Sequence, residues 1–256
     1  MANMVSELEG KVALVTGSAR NIGRVTAEEL ARAGASLVIN SVQARDLCEE
    51  VAEGIRAKGG KAIACIADVR DPGAVNDMIA TAVREFGGVD ILVHNAAVRT
   101  NTPFEELDAE TLQKVLDISI IGCFNLTKAV VPSMKARSGG NIIGVGGMSS
   151  LRGAPGRSHV MAAKMGLNAF IRGLALELAT YDIRANQVVV GTYDTVREGN
   201  PSSAPLRPDS KNASIPLGRP GVPQDMANLI RFLVGPGAAY ITGQTIHSNG
   251  GAYMNL

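Results

Sequence analysis

Apolar and polar positions along this chain fall into alternating blocks, short apolar runs followed by longer stretches at helical spacing. Residues 12–15 are Val-Ala-Leu-Val, four apolar positions in a row, and predict a buried strand. A helical pattern begins at Asn21, runs to Ala33 and is closed by Gly34. The alternation then repeats. Residues 36–39 predict a second strand and 44–57 a helix ending at Gly59-Gly60. A third strand covers 61–67. Asp71-Pro72 opens a helix reaching Phe86, with the proline in the first turn where its missing N–H does no harm. Strands are predicted at 89–94, 141–145, 183–190 and 244–247, and helices at 109–135, 160–180 and 224–234. Strands alternating with helices imply a parallel sheet covered on both faces and joined by right-handed crossovers.

One segment breaks the rhythm. Residues 192–214 hold Gly199, Pro201, Ser202, Ser203, Pro205, Pro208 and Ser210, and they lie between elements. A long loop in that place predicts a lid over a site rather than a linker. With no internal repeat, residues 1–256 read as a single domain. The chain is 46% hydrophobic, ample for one core, and 25 basic residues balance 24 acidic ones to leave +1. No charged block stands out, so neither nucleic acid nor a membrane surface is expected as a partner. No apolar run is expected to span a membrane. Cys48, Cys65 and Cys123 follow no metal spacing, so no metal site is expected. They read as reduced thiols of a cytoplasmic protein, in keeping with an N-terminus that lacks a signal-peptide layout.

The candidate chemistry starts after the first strand. Gly17 follows Thr16 where the chain must turn tightly, and Gly23 comes one turn into the helix. A strand, a Gly-rich turn and a helix together make a phosphate site. The turn lets backbone N–H groups approach an anion, and the helix N-terminus adds partial positive charge. The spacing Gly-x3-Asn-x-Gly is common in turns that bind nothing. Its place in the first strand-helix pair, with similar units after it, points to a dinucleotide.

Residues 16–23, Thr-Gly-Ser-Ala-Arg-Asn-Ile-Gly, resemble the cofactor turn of the short-chain dehydrogenase/reductase family, with Asn21 where a glycine is usual. Asp68-Val69 is similar to that family's adenine contact, and Asn95-Ala96-Ala97 to its Asn-Ala-Gly motif. Residues 215–219, Ile-Pro-Leu-Gly-Arg, Thr242-Gly243-Gln244 and Gly250-Gly251 resemble its C-terminal signature. The resemblance extends over nearly the whole chain, most closely to the 3-oxoacyl-carrier-protein reductase branch. It implies an α/β fold, one Rossmann-type doubly wound domain with a seven-stranded parallel sheet, binding NAD or NADP at the strands' carboxyl ends. By resemblance the cofactor contacts are Gly17, Ala19, Arg20, Ile22, Gly23, Ser41, Asp68, Val69, Asn95, Ala96, Lys164, Gly191 and Thr195. A carboxylate after the second strand would hold a ribose 2′-hydroxyl and repel a 2′-phosphate. Asn40-Ser41 stands there instead, and Arg20 lies in the turn, so NADP is expected, with NAD possible. A homotetramer or homodimer is implied, through the helices at 109–135 and 160–180.

The family's catalytic residues are an Asn, a Ser, a Tyr and a Lys. Carried over one by one, the Lys is Lys164, but the Tyr position holds Val160, the Ser position Gly147 and the Asn position Ser119. Valine cannot move a proton and glycine has no hydroxyl. Losing a general acid removes about 10²–10⁴-fold in rate. Candidate substitutes are His159, whose imidazole titrates near neutrality, and Ser149 or Ser150, two and three residues past Gly147. Tyr193 carries a phenol near the expected nicotinamide site, and His94 reads as a buried strand residue. Neighbouring helical residues point about 100° apart, so His159 cannot simply replace a side chain at 160. Three readings stay open: an oxidoreductase on a carbonyl or hydroxyl small-molecule substrate, a nucleotide-binding protein without turnover, and a non-redox enzyme on the same fold. The substrate itself is not readable from residues 149–157 or from the lid.

Overall fold

The computed structural model describes residues 6–195 and 214–254. Seven strands form one parallel sheet: β1 (Val12–Val15), β2 (Ser36–Ser41), β3 (Ala62–Ile66), β4 (Ile91–His94), β5 (Gly140–Gly147), β6 (Ile183–Val190) and β7 (Thr245–Ser248). Their order across the sheet is β3-β2-β1-β4-β5-β6-β7, every pairing parallel. In the central register Ala13 lies opposite Leu37 on one side and Ile91 on the other. All four β1 residues are buried. That is why this strand reads as a continuous apolar run, for a parallel sheet is covered on both faces.

Helices α1 (Asn21–Arg32), α2 (Arg45–Arg56) and α8 (Pro223–Val234) cover one face, and α3 (Pro72–Phe86), α5 (Gly122–Ala136) and α7 (Ser158–Leu178) the other. On the first face Leu30, Val51, Ile230 and Leu233 pack with Val15, Leu37 and Ile39. On the second Ile79, Leu126, Val130, Leu167 and Ile171 pack with Leu14, Leu92 and Ile142. Each such side chain contributes about 1.5–3 kcal/mol on burial. At the amino ends of β1 and β4, away from the turn, buried Asp90 accepts from Val12 N at 2.8 Å and pairs with both arms of Arg137, fixing the chain after α5 to these strands.

Three features depart from the sequence pattern. Strand β5 continues to Gly147, where Gly146 and Gly147 pair with Val189 and Val190; glycines carry no strand signal, so the predicted end fell at 145. Residues after it form a one-turn helix, α6 (Ser149–Arg152), in place of a loop. The long helix splits into α4 (Ala109–Leu116) and α5 around a π-turn at Asp117–Ile121. The expectation about apolar runs needs correction here. Ala109–Ala136 is 28 residues long with a mean hydropathy of 1.5 over its most apolar stretch, enough by length and composition to cross a membrane. Cys123, Leu126, Val130 and Met134 on it are fully buried against the sheet, which accounts for the apolar composition as core packing. Of the predicted lid at 192–214, residues 196–213 lie outside the described residues.

Candidate active-site cleft

Strand order reverses between β1 and β4, so the crossovers leave these two strands in opposite directions and open a crevice at their carboxyl ends. A cavity of about 520 Å³ lies there, within the usual range for small-molecule sites. Its lining brings together Gly17, Arg20, Ile22, Gly23, Asn95, Ala96, Gly147, Ser149, Val160, Lys164, Gly191 and Thr195, which span residues 17–195 of the chain.

At the β1 end the backbone is fixed tightly. Gly17 takes φ +62°, and a Cβ there would lie 3.2 Å from Ala96 Cα. A Cβ on Gly23 would lie 2.4 Å from Gly17 O and 2.9 Å from Ser18 Cα, so only hydrogen fits between helix and turn. The Asn95 carboxamide donates to Thr16 O at 2.9 Å and Gly17 O at 3.1 Å, while Thr16 Oγ1 accepts from the N–H groups of Asn95 and Ala96. Asn21 has φ +51°, the left-handed region that asparagine tolerates better than other non-glycine residues. This explains how it stands where the family pattern has glycine. Helices α3 and α4 are capped by Asp71 and Asp108, which accept from their first-turn N–H groups. Helix α1 has no side-chain cap and no acid in its first turn. Its leading N–H groups have no partner inside the helix, and Asn21, Ile22 and Gly23 line the cleft. Arg20 stands at its N-cap position and lines the cleft. The residues present fit a dinucleotide: a Cβ-free turn, an uncapped helix start and a basic side chain beside it.

Of the nucleotide contacts expected by resemblance, Ala19, Ser41, Asp68 and Val69 are not among the residues lining this cavity. Asn40 is buried and its carboxamide donates to Cys65 O and Ala67 O, tying β2 to β3. Ser41 Oγ accepts from Ala44 N at 3.0 Å. Neither supplies a carboxylate. The Asp68 carboxylate is gripped by the Arg70 guanidinium, which holds its pKa below the usual range. The Val69 side chain is buried against Gly122, and its carbonyl accepts from the Asn125 carboxamide at 3.0 Å. Ala19 is buried beneath the turn. Gly191 meets Asn249, whose Cα would lie 2.6 Å from an added Cβ.

The β5 end is built differently. Lys164 is buried and its Nζ donates to Val145 O at 2.6 Å, which holds the ammonium at the cleft floor. Val160 lines the cleft one helical turn away and packs with Val115 and Ala163. A Cβ on Gly147 would meet nothing nearer than Ser149 Oγ, at 4.0 Å. The Ser149 hydroxyl therefore lies beside the space that a side chain at 147 would enter. Ser150 Oγ instead donates to Gly147 O at 2.5 Å. His159 is buried outside the cleft lining, with Nε2 2.7 Å from Thr100 Oγ1, and burial lowers its pKa. The Tyr193 phenol lines the cleft but engages Ser248 Oγ at 2.6 Å, and burial raises its pKa. His94 is fully buried, and its Nε2 lies 3.1 Å from Ser119 O within the π-turn. A carbonyl only accepts, so the proton sits on Nε2. Burial, with the Lys164 charge second, pushes the imidazole pKa down to about 3.

Arg99, Arg152 and Arg157 also line the cleft. The stretch 149–157 was expected to line the pocket, but its two arginines follow no periodicity that marks them as a ligand site, and Arg99 was missed altogether.

A doubly wound sheet with an uncapped Gly-rich helix start at its switch point defines a dinucleotide-binding α/β protein. The sequence model described as Enoyl-(Acyl carrier protein) reductase matches residues 17–253. A 3-oxoacyl-(acyl-carrier-protein) reductase of Synechocystis sp. is 37% identical over 98% of this chain and 100% of its own length. Among solved structures, a short-chain dehydrogenase from Burkholderia cenocepacia in complex with NADP has a TM-score of 0.87 at 31% identity, covering 96% of this chain and 99% of that one. A 7α-hydroxysteroid dehydrogenase complexed with NADH and 7-oxo glycochenodeoxycholic acid has a TM-score of 0.90 at 28% identity, covering 98% and 97%. The chain belongs to the short-chain dehydrogenase/reductase family of NAD(P)-dependent oxidoreductases.

Proposed function

We propose that this chain is an NADP(H)-dependent oxidoreductase interconverting a carbonyl and a hydroxyl on a small molecule, with Ser149 meeting the substrate oxygen in place of the family's usual catalytic pair. The observation that carries this reading is the continuity of one cleft. The Gly17–Gly23 cradle, Lys164 and the Ser149 hydroxyl all open onto it. When bound, the nicotinamide supplies or accepts the hydride. Within this reading the chain's own residues do the rest. The start of α1 and Gly17 take the phosphates, Arg20 faces the 2′-phosphate, and Lys164 holds the nicotinamide ribose. Ser149 donates a hydrogen bond to the developing oxyanion, and solvent supplies the proton that Val160 cannot. NAD in place of NADP remains compatible with the same cradle. The absence of a positioned general acid lowers the rate by about 10²–10⁴-fold, so turnover is slow.

One observation favours a second reading, a nucleotide-binding protein without turnover: Val160, at the position where the family pattern has its Tyr, lines the cleft with hydrocarbon. Oxidation of NADPH followed by absorbance against a panel of ketones and aldehydes separates the two. The first reading expects slow turnover that falls by about 10-fold or more in Ser149→Ala, as for a lost oxyanion donor, and is unchanged in His159→Ala. NADPH binding without turnover across the panel supports the second. Unchanged rates in both variants reject Ser149.

Assembly through the two long helices fits their exposed apolar side chains: Ile121, Phe124, Met165 and Leu176 are 44%, 45%, 42% and 83% exposed. A homotetramer or homodimer is expected, and a monomer in light scattering rejects it. Three free cysteines fit a reducing cytoplasmic setting.

A further inference from the structure

The nucleotide reading uses two of the cations that line the cleft, Arg20 and Lys164. Three more remain: Arg99 beyond β4, Arg152 at the end of α6, and Arg157 at the start of α7. Asp194 is the sole carboxylate among the described lining residues. Among the described residues, no acidic side chain pairs with Arg152 or Arg157. The placement is specific to the reacting end. Arg157 precedes Val160 by three residues, and Arg152 follows Ser149 by three, so both flank the positions where substrate chemistry is proposed. Guanidinium groups stay charged at any working pH, and they match carboxylate and phosphate oxygens two at a time. Like charges gathered round one cavity repel, and an anionic ligand relieves that repulsion.

We infer that the substrate carries an anionic group, a carboxylate or a phosphate, held by Arg152 and Arg157 with Arg99 adding to the field, so that its carbonyl lies at Ser149. The carbonyl part of this inference rests on the oxidoreductase reading; the anion site does not.

The test uses the full-length protein saturated with nucleotide and two matched pairs of ketones. One pair is 4-oxopentanoate and its methyl ester; the other is dihydroxyacetone phosphate and dihydroxyacetone. Binding is measured by calorimetry with NADP⁺ present, and turnover by oxidation of NADPH. The charged member of at least one pair is expected to bind about tenfold tighter or more, and which pair shows it separates carboxylate from phosphate. The preference shrinks by a similar factor in Arg152→Ala and Arg157→Ala, persists in part in Arg152→Lys, and weakens as ionic strength rises. Charge-selective binding that depends on these arginines upholds the anion site even without turnover, and the missing turnover then counts against the oxidoreductase reading alone. Equal binding of charged and neutral members, with turnover of either, overturns the anion site and leaves the oxidoreductase reading standing. A preference that survives both alanine substitutions, or no binding by any of the four, also overturns it.

Discussion

Gly23 and Gly147 line the same cleft and respond oppositely to an added side chain. At 23 a Cβ would lie 2.4 Å from a backbone carbonyl and 2.7 Å from the Asn95 carboxamide, so the packing of helix on turn requires glycine. At 147 a Cβ would meet only the Ser149 hydroxyl, 4.0 Å away. Sterics therefore hold the nucleotide end in its family form. At the reacting end the backbone leaves room for a side chain that the sequence does not provide. The same contrast runs through the polar groups. Asn95 and Thr16 form four hydrogen bonds that fix the turn, whereas Val160 contributes only packing. Binding and chemistry are separable in this cleft, and they depend on different physical terms.

The sharpest way to break that contrast is to refill the reacting end. Gly147→Ser together with Val160→Tyr is expected to raise the rate of NADPH oxidation by about 10²–10⁴-fold, the range for a positioned general acid, with little change in NADPH affinity. Measured by steady-state kinetics, an unchanged rate would show that something other than the missing side chains limits the site. The reverse experiment acts on the other end. Gly23→Val is expected to weaken NADPH binding by about 100-fold or more, since the turn must move to relieve a contact this short. Fluorescence titration of the nucleotide checks this, with circular dichroism to show that the fold survives.

Most of the fold was legible in the sequence, and the site only half so. The apolar runs of β1 and β4 sit in a sheet buried on both faces, so their composition alone marks them. The turn announced itself through Gly17 and Gly23, because both are demanded by backbone geometry. The end of β5 and helix α6 were hidden, for Gly146, Gly147 and the two serines after Met148 carry no periodic signal. His159 was a reasonable substitute acid by chemistry. Its ring direction depends on where α7 begins and on Thr100, fifty-nine positions earlier, which no local pattern reveals. The stretch 149–157 was expected at the pocket, but the meeting of its Arg152 and Arg157 with Arg99 was invisible for the same reason.

Two smaller effects sharpen the contrast further. His94 is held neutral in the fold, its pKa depressed to about 3 from 6.5. The unfolded chain takes up that proton first as pH drops, so this contribution to stability is complete above pH 6.5 and is lost progressively toward pH 3. About 3 kcal/mol is expected to disappear between pH 6.5 and 4 from this group. Denaturant midpoints measured across that window give the slope, which His94→Asn flattens. Arg20→Ala has the mildest effect, an approximately tenfold loss of preference for NADPH over NADH with NADH affinity nearly kept. Equal losses for both nucleotides would remove Arg20 from the 2′-phosphate.

The most direct test of the central claim, that the cleft retains its nucleotide end after losing its usual acid, is titration calorimetry of the unmodified protein with NAD⁺, NADH, NADP⁺ and NADPH. Saturable binding is expected, tighter for the phosphorylated pair and strongly reduced in Gly23→Val. Absence of heat and of any rise in melting temperature with all four would contradict the account.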